Sequence, residues 1–388
     1  MVSARSTVTD RPPRRRARSA LSHALVQIAR GETPVIAPSV RARPEAFAGA
    51  VRYHRLAPLA HTLLRETAGD LARLVEDDRD RARATHLHMT TLVGALGDLF
   101  EDLPWVVFKG PVLSEVAHPV AGLRSYGDLD LLVAPGDLRT ASARLLEAGW
   151  TIADFDDMLG NPDVPGEMHW RSPSGALMDL HWSMINTAGR RRRLDVPTAR
   201  ILERRVPIRL GFVPGWTLDP ADTLIHVCLH AALTGANRLL YLVDAQRSAA
   251  RVTDWAEVAR RAAAWKAAPH VSLVLRRARS GLGGDLPIGL DRLLGSSPAF
   301  RALTGAVDRI APVPGARSEP GIARLVARAA QPGAARTALA ASRGVARHVL
   351  QRDRAAQAAR SGRADRVVAG QRALGVYLDR VEGAIRSS

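Results

Sequence analysis

The spacing of apolar positions changes character along the chain. From Pro44 to about Leu103 they recur at helical intervals, and Leu92, Val93, Leu96, Leu99 and Phe100 make one i, i+1, i+4, i+7, i+8 stripe. The stripe predicts a helical segment packed on something downstream. At Pro104 the period shortens: Trp105 to Phe108 is a continuous apolar run closed by Lys109-Gly110-Pro111, which reads as a short buried strand. A helix from Pro111 to about Ala117 follows, because proline is accepted in a first helical turn. Leu129, Leu131, Leu132 and Val133 predict a second strand, closed by Ala134-Pro135-Gly136, and then a helix from Asp137 to Ala148 stopped by Gly149. Residues 167–171 and 176–184 read as a β-hairpin around Ser172-Pro173-Ser174-Gly175. After Gly215 helical spacing returns in Asp219 to Leu233, Leu239 to Ala250, Asp254 to Ala267 and Pro269 to Ser280.

The order β, α, β, α, β, β predicts an α+β fold, with a small mixed sheet flanked by helical N- and C-terminal segments. The expected units are a basic arm at 1–30, ending in a short helix from about Ser19 to Arg30; a helical segment at 31–103; the α/β core at 104–216; a helical domain at 217–310; and a basic, Ala- and Arg-rich helical tail at 311–388, partly buried. A chain of 388 residues that is 46% hydrophobic and 24% charged is not mainly disordered. Its net charge of +17 invites a nucleic-acid reading until it is located: residues 1–30 carry +6 and 311–388 carry +9, leaving +2 for everything between. A domain that grips a duplex concentrates charge on its folded binding face instead. The two ends hold one aromatic residue, Tyr377, so weak salt-dependent polyanion binding is expected of them rather than base stacking. Cys228 is the lone cysteine, which excludes an internal disulfide and dithiol chemistry and agrees with a cytoplasmic setting. No apolar run approaches the length of a transmembrane segment.

The sharpest chemical feature is Asp128-Leu129-Asp130, followed by the apolar run Leu131-Leu132-Val133. Positions i and i+2 of a strand share a face, so the two carboxylates project side by side while Leu129, Leu131 and Val133 face the core. Like charges so placed repel unless divalent cations lie between them, and hard oxygen ligands suit Mg²⁺, with Mn²⁺ as the substitute. The same pair by itself also fits two solvated carboxylates on an exposed strand edge. In the metal-site reading Asp130, as a strand-edge carboxylate, is expected to matter to chemistry more than to packing. Asp179, in the predicted strand Leu177-Met178-Asp179-Leu180-His181-Trp182, can supply a third carboxylate. Lys109-Gly110 opens a helix where backbone amides can meet a phosphate, and Arg124 lies four residues before Asp128. Together these groups describe a triphosphate–metal site: two carboxylates clamp metal, a third deprotonates or orients the attacking hydroxyl, and cations hold the phosphates.

His181 shares the strand face of Asp179, and His169 lies on the neighbouring hairpin strand. Either can contact the phosphates or the acceptor, or be a half-buried histidine satisfied by backbone. Asp222, His226 and His230 fall at i, i+4 and i+8 of one helix face. That line invites zinc, but one helix face usually offers only two ligands to an ion and no Glu stands between the histidines. The face is expected to point at the cleft or to form a polar helix contact, with His230 and Asp244 as candidates on the acceptor side.

The run FKGPVLSEVAHPVAGLRSYGDLDLLV, then Gly149-Trp150, MHW with LMDLHW, LIHVCLHAAL and RLLYLVDAQ, resembles the bacterial uncharacterised nucleotidyltransferase family of the DNA polymerase β-like superfamily, over roughly residues 45–260. The resemblance implies Mg²⁺ held by Asp128, Asp130 and Asp179, and transfer of a nucleoside monophosphate from an NTP with release of pyrophosphate. The wider superfamily carries Gly-Ser before its carboxylate pair; here Lys109-Gly110 stands there, with seventeen residues between Gly110 and Asp128. The acceptor, a small molecule, peptide or protein, is not encoded in any motif. The competing readings are a metal-dependent glycosyltransferase and a non-catalytic protein binding RNA or a membrane surface through its basic ends. The first is disfavoured because its carboxylate pair would end an apolar strand rather than begin one. The second is disfavoured because all three carboxylates are present.

Overall fold

A computed structural model describes residues 13–118, 120–153, 164–314, 321–343 and 366–386. The start of the expected basic arm and much of the expected tail lie outside the described residues. Helix α1 (Pro13–Arg30) is followed by α2 (Pro44–Tyr53), α3 (Ala57–Leu64) and α4 (Glu76–Leu99). Glu76, Asp77 and Asp78 place negative charge on the first turn of α4, where the helix dipole favours it. From the predicted stripe, Val93, Leu96 and Phe100 are buried and Leu92 and Leu99 pack partly buried against the same cluster.

Strand β1 (Trp105–Phe108) is buried at all four positions. Next come α5 (Gly110–Val116), β2 (Asp128–Val133), α6 (Leu138–Glu147), β3 (Thr151–Ile152), β4 (Glu167–Arg171) and β5 (Leu177–His181). The sheet order is β1-β2-β5-β4-β3, with β2 parallel to β5 and the other pairs antiparallel. The predicted hairpin is therefore β4–β5. β2 lies inside the sheet, between β1 and β5, so Asp130 is not on a strand edge and is only 3% exposed. Leu129, Leu131 and Val133 join one apolar cluster under α4 and α6. On the opposite face, Leu132 joins a second cluster with Val106, Phe108 and the helices that follow. The carboxylates of β2 share Leu132's side by strand alternation, and so sit where the sheet meets the helices.

After the short helix α7 (Ala188–Arg191) a second sheet forms from β6 (Val206–Leu210) and β7 (Val213–Thr217). Neither this hairpin nor β3 is expected from the apolar pattern: Pro207 and Pro214 argue against strands, yet the edge positions of a two-stranded ribbon tolerate them. Thr217 ties the hairpin to the main sheet through Oγ1, which donates to the Val107 carbonyl at 2.8 Å. The longer helices that follow are α8 (Pro220–Thr234), α9 (Leu239–Ala249), α10 (Trp255–Ala264), α11 (Ala268–Leu282), α12 (Pro298–Ile310), α13 (Ile322–Arg328) and α14 (Arg366–Arg386). The first four match the predicted helices to within a few residues. Asp219 caps α8 by accepting from the Asp222 amide, and Gly235 ends it in the left-handed conformation that its φ of 116° requires.

α14 returns to the sheet. Leu374, Tyr377, Leu378 and Val381 join the cluster under α4 and α6. The Tyr377 hydroxyl donates to the Pro165 carbonyl at 2.7 Å and accepts from Trp182 Nε1 at 2.9 Å. Among the described residues no helix is long and apolar enough to cross a membrane.

Candidate active site

The register of three strands assembles the site. Parallel pairing of β2 with β5 sets Asp130 opposite Asp179, and antiparallel pairing of β4 with β5 sets His169 opposite Asp179 and Glu167 opposite His181. Opposite residues point to the same face of a sheet. Asp128, Asp130, Asp179, His181, His169 and Glu167 therefore project together.

The contacts are dense. The Lys109 ammonium donates to Asp130 Oδ1, and His181 Nε2 lies 3.0 Å from the same oxygen. The other nitrogen of that ring, Nδ1, is 3.2 Å from Glu167 Oε2 without hydrogen-bond geometry, so His181 stands between two carboxylates. His169 Nδ1 is 2.7 Å from Asp179 Oδ1. One ligand atom each from Asp130, Asp179 and His181 fall within 4.8 Å of one another, and the same holds for Glu167, His169 and Asp179.

Burial and charge push the two carboxylates of β2 apart. Burial alone would raise Asp130, but the Lys109 ammonium and the His181 imidazole outweigh it and hold the carboxyl well below its usual range. Lys109 is in turn kept charged despite its burial, chiefly by Asp130. His181 is raised above its ordinary value because Asp130 and Glu167 overcome its burial. Asp128 moves the other way, raised by burial and then by the neighbouring Asp130 and Asp179 carboxylates. Crowding that disfavours the third negative charge is what a divalent cation relieves, and the donor set of carboxylates with imidazoles fits such an ion.

The turn that delivers Lys109 is strained and tightly packed. Lys109 has φ 56° and ψ −115°, outside the left-handed helical region and sparsely populated by residues with a Cβ, at a cost of about 1–3 kcal/mol. Gly110 opens α5 against the strand: a Cβ there would lie 2.9 Å from the Tyr126 ring and 3.2 Å from the Asp128 carbonyl oxygen. The position demands glycine because the backbone passes too close for any side chain. Tyr126 is itself fixed by a 2.8 Å hydrogen bond between its hydroxyl and His86 Nδ1.

Arg124 and Asp244 are brought to each other. Arg124 Nε lies 3.1 Å from Asp244 Oδ1 and Nη2 lies 2.9 Å from Oδ2, with His118 Nε2 3.0 Å from Oδ1. Both partners are buried. Burial would raise Asp244, but Arg124 and His118 hold it well below the usual carboxylate range. Arg124 stays charged against its burial through Asp244, with a smaller contribution from Asp130.

His226 and His230 occupy the sheet-facing side of α8. The His226 ring stands edge-on to Phe108 at 5.0 Å between centroids, and His230 stands edge-on to Tyr241 at 5.6 Å. Burial and the nearby Lys109 charge keep both neutral, His230 being pushed down to about 3. Asp222, at the start of the helix, is bound by Arg204 at 2.9 Å and Arg261 at 2.8 Å. Among the described residues these three form no metal-ligand group, so the zinc geometry that the sequence invited is absent there.

Two residues of the site went unnoticed in the sequence. Glu167 stands two positions before His169, so strand alternation alone could have placed it with the cluster. Arg55, exposed at a turn with φ 57°, only weakly opposes the upward shift of the Asp128 carboxyl, and no sequence pattern connects a residue of the N-terminal helices to β2.

A family model described as an uncharacterised nucleotidyltransferase matches residues 41–283, which is more than half of the chain. A search of curated proteins finds no match.

Proposed function

The chain belongs to this nucleotidyltransferase family, and from that premise we propose that it uses Mg²⁺, or Mn²⁺ in its place, to move a nucleoside monophosphate from an NTP to a hydroxyl-bearing acceptor. The observation that carries the reading is the direct pairing of Asp130 with Asp179 across β2 and β5, with Asp128 on the same face. In this reading Asp128, Asp130 and Asp179 would hold the metal, whose charge would offset that of the triphosphate and favour attack at the α-phosphate. Lys109, at the strained turn, and Arg55 supply cations for the phosphates. Arg124 contributes to the same positive field from its pair with Asp244.

The reaction balances without a further reactant. The acceptor oxygen forms a bond to the α-phosphorus as the bond from that phosphorus to the bridging oxygen breaks, and pyrophosphate leaves. Asp179 takes the acceptor's proton. His169, 2.7 Å from Asp179 Oδ1, orients that carboxylate. His181 fixes Asp130 and is a positioning residue. His230 borders the acceptor side, while Asp244, mid-helix in α9, is held in its buried pair with Arg124. A cytoplasmic setting, where NTPs and Mg²⁺ are plentiful, belongs to this reading.

The test is incubation of the protein with each α-labelled NTP and Mg²⁺ in the presence of a fractionated lysate. Label should pass to one product, and both EDTA and Asp179→Asn should abolish the transfer. Transfer of label from γ-labelled NTP, with none from α-labelled NTP, would overturn the reading in favour of a phosphotransferase.

A further inference from the structure

Outside the carboxylate cluster, the described residues hold a second concentration of charge, and it is all of one sign. Arg190 on α7, Arg192 and Arg193 just after it, Lys266 between α10 and α11, Arg328 at the end of α13, and Arg336 line a cavity of about 360 Å³. Leu194, Leu233 and Ala330 give it an apolar floor, and the buried His270 also lines it. Leu233 lies three residues beyond His230 on α8.

The cavity departs from how this protein treats arginine elsewhere. Arg124 is paired with Asp244, Arg261 with Asp219 and Asp222, Arg277 with Asp308 and Arg144 with Asp102. Among the cations lining the cavity, the ion pair found within the described residues is Lys266 with Asp195, at 4.0 Å between exposed groups. Arg190 instead donates to the Leu233 carbonyl at 3.3 Å. Burial, together with the positive charges of Arg328 and Arg193, lowers Arg190 to about 10. His270 is lowered to about 4 by burial and by Arg190. Converging cations that repel one another in a concave, partly apolar pocket are stabilised by a bound anion, and guanidinium groups match phosphate oxygens two at a time. A single phosphate would engage only part of a cavity of this size lined by six cations.

We infer that this cavity is a binding site for a small molecule carrying two or more phosphate groups, separate from the carboxylate cluster. The inference does not depend on the catalytic reading above. Its recognition elements come from α7, α8, the α10–α11 connection and the segment around α13, none of which supplies the three aspartates.

The experiment is isothermal titration of the full-length protein with inorganic tripolyphosphate in EDTA, which removes the metal that a triphosphate would need at the carboxylates. Saturable binding at one site per chain is expected, unchanged within about twofold in Asp130→Asn. Arg190→Gln combined with Arg328→Gln should weaken it by about tenfold or more, and Arg193→Gln, at an exposed position, should weaken it measurably with no effect on thermal stability. A parallel titration with single inorganic phosphate should be much weaker. Equal affinity in wild type and the double variant would overturn the proposal, provided circular dichroism and the melting curve show the variant folded. If the double variant does not fold, Arg193→Gln decides alone. Binding lost in Asp130→Asn, with circular dichroism showing that variant folded, would assign the anion to the carboxylate cluster and also overturn it. So would tight binding of single-stranded RNA that tripolyphosphate cannot displace, since the patch would then serve a nucleic-acid backbone.

Discussion

Replacing Asp244 with asparagine keeps the shape of the side chain and removes one charge, which isolates the contribution of the buried pair. Asp244 and Arg124 are 2% and 6% exposed, and the guanidinium meets the carboxylate through both Nε and Nη2. In Asp244→Asn the guanidinium remains buried without a counter-charge, a situation that costs about 3–5 kcal/mol in comparable sites. Urea denaturation at pH 7, followed by circular dichroism, should register that loss. The pH dependence has a definite sign. Arg124 and His118 hold the folded-state carboxyl below its unfolded value, so its stabilisation is complete above about pH 4 and disappears as pH falls through the folded value. The gap between wild type and Asp244→Asn should therefore persist from neutral pH down to about 4, widening where His118 protonates because Asp244 favours that charge against its burial, and close only in stronger acid. The combined change Arg124→Met and Asp244→Leu removes both charges and should recover most of the stability. Arg124 is four residues before Asp128, so loosening this brace should also lower turnover. A loss of less than about 1 kcal/mol in Asp244→Asn would refute the reasoning and return Arg124 to the role of a displaceable phosphate ligand.

Three further outcomes are expected. Asp130→Asn should abolish nucleotidyl transfer and, because it strands the Lys109 ammonium that Asp130 now pairs, should also lower stability by a few kcal/mol in a denaturant melt; an unchanged melt would show that the ion pair contributes little. Gly110→Ala should reduce transfer at least tenfold through displacement of Tyr126 and the Asp128 backbone, roughly 1.4 kcal/mol of barrier or more, and full activity would show that the turn can relax. His270, whose folded value of about 4 lies below that of a free imidazole, favours the folded state above about pH 6.5 and loses that contribution, at most about 3 kcal/mol, as pH falls towards 4. His230 and His226 titrate in the same direction, so the measurement is the difference between wild type and His270→Gln across that range, and parallel stability curves would count against it.

Local sequence determined a good deal of this protein. The apolar run at Trp105–Phe108, the alternation through Asp128–Val133 and the helical spacing of Leu239–Ala249 each report a periodicity that a single element must satisfy to bury its own side chains. For the same reason Asp128 and Asp130 could be assigned to one face, and the α+β class followed from the order of elements. The ribbon of β6 and β7 escaped because its prolines obscure the strand pattern.

Tertiary structure decided what those residues face. Whether Asp130 lay at an edge or inside the sheet depended on β1 and β5 pairing with β2 on either side, a long-range choice that no local pattern records. That choice put an expected strand-edge carboxylate inside the sheet, clasped by Lys109 and His181. Arg124 and Asp244 each carried chemistry in isolation, but only the packing of α9 against the loop before β2 joined them across 120 positions of chain. Arg55 and the arginines of the α7–α13 cavity were anonymous members of an Arg-rich composition. Their meaning comes from burial and from which charges stand nearby, because an ionic side chain's energy is set by its surroundings in space rather than by its neighbours in sequence.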